Sequence, residues 1–241
     1  MDRNQKNLTI LPVIMPDDDM DDKWNALDPR LPKPPFLMVF NAPVASGKTT
    51  LLMNLIYNDN YYKDLFDSIV IISPTIENDS TWRAALDDDR IMIVSGDRLD
   101  QADDIIEEIY KNQMEKVIIS KKEKKTKPHI LIILDDMLGL IGKQFDLLCT
   151  RHRHPAISIL IATQDFRSLK NKCRQNASQY VIFRTNNKKE LAKMEEEFSS
   201  NFPDFLSLYN EATQEKHSFL TIHQRTVKAY KRFEELLWEK T

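Results

Sequence analysis

The sequence predicts an α/β fold with a mostly parallel central sheet flanked by helices. Three observations lead there. From Phe36 onward, short β-rich runs alternate with helical patterns, the order that builds parallel sheets. Several of those runs are apolar throughout, as strands covered on both faces must be. The first run passes through a short loop into Gly47-Lys48-Thr49 and a helical pattern, so a helix N-terminus follows directly on a strand.

Taken in order, residues 1–34 precede the domain. They hold five of the eleven prolines and the run Asp17-Asp18-Asp19-Met20-Asp21-Asp22. Proline fixes φ and removes donors, and like charges repel, so an extended arm is expected, free to dock along the body or a neighbouring subunit. The domain proper is expected over 35–223. Its strands are Phe36–Asn41, Ser68–Ser73, Ile91–Val94, Ile130–Leu134, Ile157–Ala162, Tyr180–Phe183 and Phe219–Ile222. Its helices are Lys48–Asn58, Gln101–Ile119, a stretch after Asp136, and Lys188–Ser199. Ile105, Ile106, Ile109, Tyr110 and Val117 form a stripe at helical spacing and read as core. The run Lys121–Lys127, between a helix and a strand, reads as an exposed loop. A helix over Gln224–Lys240, in a C-terminal segment 224–241, closes the chain. At 241 residues, one large domain is the expected count.

Net charge is −3, but it is unevenly spread. Residues 151–189 carry nine Lys/Arg against the single acid Asp165, so this segment is about +8 and the remainder about −11. Such a stretch reads either as a phosphate-facing surface or as solvated loops. Cys149 and Cys173 have no metal-ligand spacing and read as reduced thiols. No apolar run approaches the ~20 residues of a membrane span, and the polar, acidic N-terminus has no signal-peptide pattern. A soluble protein is expected.

The stretch Ala42-Pro43-Val44-Ala45-Ser46-Gly47-Lys48-Thr49 fits a P-loop, with Ala42 in place of the usual first glycine. Backbone N–H groups and the helix N-terminus form an anion cradle, and Gly47 lets the backbone approach phosphate. Lys48 is placed to reach the β- and γ-phosphates, and the Thr49 hydroxyl to bind Mg²⁺; Thr50 reads as a capping or packing residue at the edge of the site. In "HILIILDDM", residues 129–137, a buried strand ends in two acids. Ligands of α/β sheets sit beyond the carboxyl ends of strands. Asp135 is therefore expected in the Mg²⁺ shell and Asp136 beside the attacking water. The next strand ends Thr163-Gln164, whose amide can orient water or sense the γ-phosphate. Between them, "CTRHRHPAIS" offers Arg153 or Arg151 as an arginine finger acting in trans, or alternatively as surface charge or a DNA contact.

This order of P-loop, strand ending Asp135-Asp136, Arg153-His154, and strand ending Ala162-Thr163-Gln164 resembles the FtsK–HerA superfamily of P-loop ATPases. More closely it resembles the poxvirus-type genome-packaging ATPases of large double-stranded DNA viruses and their satellites. The resemblance spans roughly residues 36–222 and includes "IISPT" at 71–75. It implies a RecA-like P-loop NTPase that uses ATP and Mg²⁺. It also implies assembly as a homo-oligomeric ring and the pumping of double-stranded DNA, without sequence preference, into a preformed capsid. The implied partners are capsid or membrane-associated portal components, and the implied location is the host cytoplasm at sites of virus assembly, or the virion. Three other readings share the P-loop. A nucleoside or nucleotide kinase would need an acceptor pocket with an Arg-rich lid, which is not evident. A virion assembly module would bind nucleotide without turnover. A GTPase would need an Asn-Lys-x-Asp motif, which the chain lacks.

Overall fold

The structure, a computed structural model, describes residues 22–137, 139 and 142–240. The elements run β1 (Leu37–Asn41), α1 (Lys48–Tyr57), β2 (Ser68–Ile72), α2 (Arg83–Leu86), β3 (Ile91–Val94), α3 (Ala102–Glu123), β4 (Ile130–Asp135) and α4 (Lys143–Arg151). They continue as β5 (Ile157–Thr163), α5 (Asn171–Asn176), β6 (Gln179–Phe183), α6 (Lys188–Phe198), α7 (Phe205–Ala212), β7 (Phe219–His223), β8 (Lys228–Lys231) and β9 (Glu235–Glu239).

All nine strands form one sheet in the order β3-β2-β4-β5-β1-β6-β7-β8-β9. The first six pair in parallel and the last three add antiparallel. Side chains of β1 alternate between two cores, as a period of two requires. Leu37 and Val39 join the core that holds α4–α7 residues, while Met38 and Phe40 join the one packed on α1. Because both faces are covered, β1, β4 and β5 are buried at every position. Their largely apolar sequences are the imprint of that burial. The register sets Asn41 opposite Thr163 and Asp135 opposite Ala162. The carboxyl ends of β1, β5 and β4 therefore stand abreast, with β5 between the other two.

Two expectations are corrected and one is refined. The chain over 224–241 is not a helix but the antiparallel ribbon β8–β9 laid on β7. Its apolar residues suit a helical stripe, and its turns carry no glycine: Val227 and Arg232 themselves take up left-handed φ of 49° and 55°. The usual hairpin signal is thus absent, and pairing with the open edge of β7 overrides local propensity. Second, the N-terminal arm docks along the body over its last part. From Asp22 the chain is docked, with Trp24, Leu27 and Leu31 buried. The Trp24 ring meets His129 edge-on at 4.9 Å, and the Tyr62 hydroxyl donates to the Pro32 carbonyl at 2.9 Å. Apart from Asp22, the acidic run lies outside the described residues. Third, Lys121–Glu123 prolong α3 instead of opening a loop, and Lys124 caps the helix in a left-handed conformation. The short α5 and α7 had no clear sequence signal. Cys149 and Cys173 remain free thiols, buried together with sulfurs 3.0 Å apart. No described helix is long and apolar enough to cross a membrane.

Candidate nucleotide-binding site

The loop from Ala42 to Gly47 leaves the carboxyl end of β1, with the Ala42 N–H still donating to the Thr163 carbonyl at 2.9 Å. Its left-handed residues are Ala45 (φ 59°) and Gly47 (φ 99°). Gly47 is therefore required by backbone conformation. Ala42 is fully buried and is not among the left-handed residues, so alanine there carries no backbone strain. Val44 stands at the exposed tip, and Pro43 and Ser46 brace the turn through a Ser46 N–H to Pro43 carbonyl bond of 3.3 Å. α1 begins at Lys48 with no side chain capping it. Its first N–H groups are left for an anion. Thr50 is exposed on the first turn.

Lys48 lies between the two acids that end β4. Its ammonium is 2.7 Å from Asp135 Oδ1 and donates to Asp136 Oδ2 at 2.8 Å. Gln164 Nε2 donates to the same Asp136 oxygen at 2.8 Å. Thus Lys48, Asp135, Asp136 and Gln164, placed together on paper by sequence, converge in space. Asp135 is 2 % exposed. Burial pushes its carboxyl above the ordinary range, while Lys48 pulls the other way. Asp136 occupies a left-handed conformation, φ 55°, which for a side-chain-bearing residue costs about 1–3 kcal/mol and often marks a functional position.

Asp79 is a member of the site that the sequence did not reveal. It follows the "IISPT" turn after β2, caps the turn Ser80–Trp82, and accepts from the Thr81 N–H at 2.9 Å. Burial opposes its charge, and Thr81, Thr49 and Lys48 together outweigh burial, so its carboxyl is held below the ordinary value. Only the fold brings this acid, 30 residues along the chain, into the neighbourhood of Thr49.

Arg153 is not at this site. It sits in the turn before β5, at the opposite end of the sheet from Gln164. Seven strand residues separate the two ends, about 20 Å. Burial and the nearby Arg225 both disfavour its charge. Arg151 ends α4 on the same side. The neighbouring His152 is structural: it is buried, its Nδ1 donates to the Ile157 carbonyl at 2.9 Å, and burial lowers its pKa to about 4. No cluster of three or more histidine, cysteine, aspartate or glutamate side chains arranged to hold a metal exists among the described residues. Part of the charge of the basic segment 151–189 is neutralised in place. Arg167, Lys170 and Arg174 are paired with Asp165, Asp146 and Glu197.

Residues 27–232 match the family described as the poxvirus A32 protein. The chain belongs to the poxvirus A32 family. The family-level resemblance read from the motifs is thereby borne out. No curated protein sequence matches at a significant level. Among solved structures, B204, the DNA-packaging ATPase of Sulfolobus turreted icosahedral virus, is 15% identical with a TM-score of 0.59, over 82% of this chain and 97% of that one. B204 of Sulfolobus turreted icosahedral virus 2, in complex with ATP-γS, is 16% identical with a TM-score of 0.58, over 82% and 96%. The pCW3 conjugation coupling protein TcpA with ATP-γS is 10% identical with a TM-score of 0.59, over 80% and 58%. At these identities the likeness is one of fold, and the fold of this A32-family chain is that of a P-loop NTPase.

Proposed function

We propose that this A32-family chain is the Mg²⁺-dependent ATPase that drives double-stranded DNA into a virus capsid during assembly in the host cell. The observation that carries the reading is the Lys48 ammonium held by Asp135 and Asp136 at the mouth of a P-loop. The relatives in fold support it: B204 is named as a DNA-packaging ATPase, and its counterpart holds an ATP analogue.

The donors near Thr49 are all hard oxygens: its own hydroxyl, Asp135 and Asp79. That set fits Mg²⁺, with Thr49 as a direct ligand and Asp135 acting through water. Bound there, Mg²⁺ would neutralise phosphate charge and polarise the transferred phosphoryl group. Residues 42–50 form the phosphate cradle, whose N–H groups come from Gly47 and the first turn of α1. Lys48 exchanges its carboxylate partners for the β- and γ-phosphates. Asp136, with Gln164 bonded to the same oxygen, positions the attacking water. Arg153 lies too far from its own site to act there. In a ring it serves as a finger for the neighbour, with Arg151 the lesser candidate. DNA is held through its phosphates without base readout. Capsid or portal components are the docking partners.

The test is the rate of ATP hydrolysis with and without duplex DNA, for the wild type and for Lys48→Ala. Stimulation by DNA and loss of turnover in a folded Lys48→Ala protein are expected. Wild-type turnover in that variant removes the site assignment, and a rate indifferent to DNA removes the motor.

A further inference from the structure

The loop joining α7 to β7 reaches over the P-loop and places His217 there. Its imidazole Nδ1 lies 2.9 Å from the Ser46 carbonyl oxygen. A carbonyl only accepts, so Nδ1 carries the proton and donates. The Nδ1–Cγ edge of the ring also lies against Gly47: a Cβ at that position would stand 3.3 Å from His217 Nδ1 and 3.7 Å from Cγ. His217 has a left-handed backbone, φ 61°, a conformation that costs a non-glycine residue free energy and persists where the surroundings impose it. Here they do. Glu215, two residues earlier, is fixed by Lys231 at 2.6 Å and Arg232 at 3.1 Å. The Ser218 N–H donates to the Glu215 carbonyl at 3.1 Å, and Ser218 is buried at the mouth of β7. The β8–β9 ribbon thus anchors the loop that delivers the imidazole.

The Ser46–Gly47 peptide is planar and trans, so its C=O and N–H point in opposite directions. Holding the Ser46 carbonyl outward on His217 turns the Gly47 N–H away from the histidine, toward the concave side of the loop. Glycine at 47 makes this peptide the easiest in the loop to flip. Flipped, it would present a carbonyl oxygen to the phosphates. We propose that His217 is a positioning residue that locks the Ser46–Gly47 peptide in its phosphate-accepting orientation. The inference rests on the nucleotide-site reading above and adds to it a device outside the P-loop that sets phosphate affinity.

The experiment is calorimetric titration with ATP-γS and with inorganic tripolyphosphate, which has no base or ribose. The proteins are the wild type, His217→Ala, His217→Asn and Lys48→Ala, each checked for folding by circular dichroism. Loss of one hydrogen bond corresponds to about a five- to tenfold weaker affinity, and His217→Ala should show it for both ligands. Asparagine tolerates the left-handed backbone and offers an amide N–H near the position of Nδ1, so His217→Asn should return both affinities to within about twofold of wild type. A His217→Ala protein that binds tripolyphosphate as the wild type does overturns the lock. So does a loss confined to ATP-γS, which would make the imidazole a base or ribose contact, or a His217→Asn protein as weak as His217→Ala. Lys48→Ala separates the two claims. If it binds tripolyphosphate at wild-type strength, the nucleotide site itself is misplaced. If it fails to bind while His217→Ala binds normally, only the lock is wrong.

Discussion

Replacing Lys48 by methionine should destabilise the protein without nucleotide, and more so at neutral than at acid pH. The ammonium lies 2.7 Å from Asp135 Oδ1 and 2.8 Å from Asp136 Oδ2. Methionine keeps most of the side-chain volume and removes the charge, leaving two carboxylates at one strand end with no cation between them. Removing one partner of a buried ion pair costs about 3–5 kcal/mol. The low end applies here, because the Asp136 side chain is 22% exposed and water can reach it. About 3 kcal/mol in a chain of this size lowers Tm by about 6–12 °C. The pH dependence follows from Asp135. Burial already raises its carboxyl above the ordinary value, with Lys48 opposing, and without Lys48 it rises further. A carboxyl whose folded value is raised binds protons in the folded state that it has lost in the unfolded chain. Stability is therefore retained below about pH 4, the ordinary aspartate value, and lost as pH climbs through the folded value. Thermal melts of wild type and Lys48→Met at pH 5 and pH 7.5, in the absence of nucleotide, measure this. The gap in Tm should be larger at pH 7.5, and adding Asp135→Asn should close much of it. A gap that is absent, or wider at pH 5, would refute the account of Lys48 as the counterion of a buried carboxylate.

Asp136→Asn should bind ATP and fail to hydrolyse it, whereas Asp135→Asn should lose Mg²⁺ dependence and affinity; titrations with and without Mg²⁺ would show the opposite pattern if the roles are exchanged. Duplex DNA binding should be independent of sequence and fall steeply between low and physiological salt, and an affinity flat in salt or sensitive to shuffling the DNA would contradict phosphate-based contact. Arg153→Ala should retain ATP binding and lose most hydrolysis, by the roughly 10³–10⁵ that fingers supply elsewhere. Mixed with Lys48→Ala it should regain activity at interfaces pairing an intact P-loop with an intact Arg153. Proven mixing without any recovery would rule out the trans role.

What the sequence made legible was local. β1, the P-loop and α1 are contiguous, and their apolar period and Gly47 announce them. β4 and β5 declare themselves by their largely apolar runs and by the polar residues at their ends. The register that sets Asp135 opposite Ala162 then brings Lys48, Asp135, Asp136 and Gln164 together, as their order along the chain suggested. What stayed hidden depends on contacts across the fold. Asp79 comes near Thr49 only because the turn at Ser80–Trp82 packs against α1. His217 reaches Ser46 from 171 positions away. The β8–β9 ribbon has a helix-like apolar pattern and turns made by Val227 and Arg232, so nothing local marks it as strand. Arg153 was identified as a candidate cation, but its distance from its own P-loop is a property of strand direction that composition cannot carry.

β5 has a consequence for how neighbouring sites in such a ring would communicate. It is hydrogen-bonded to β1 on one side and β4 on the other along nearly all its length. The turn below it is fastened by the Ile157 N–H to His152 carbonyl bond at 2.9 Å and by the His152 imidazole bonded to Ile157. One end of this rod leads into Gln164, which is bonded to Asp136, and the other follows the turn that carries Arg153. A strand clamped on both sides resists stretching, so any shift of Gln164 during turnover would pass along the backbone toward Arg153. Two adjacent engines would then share a connecting rod seven residues long, and their firing order would be set by mechanics within one subunit before any loop has to move.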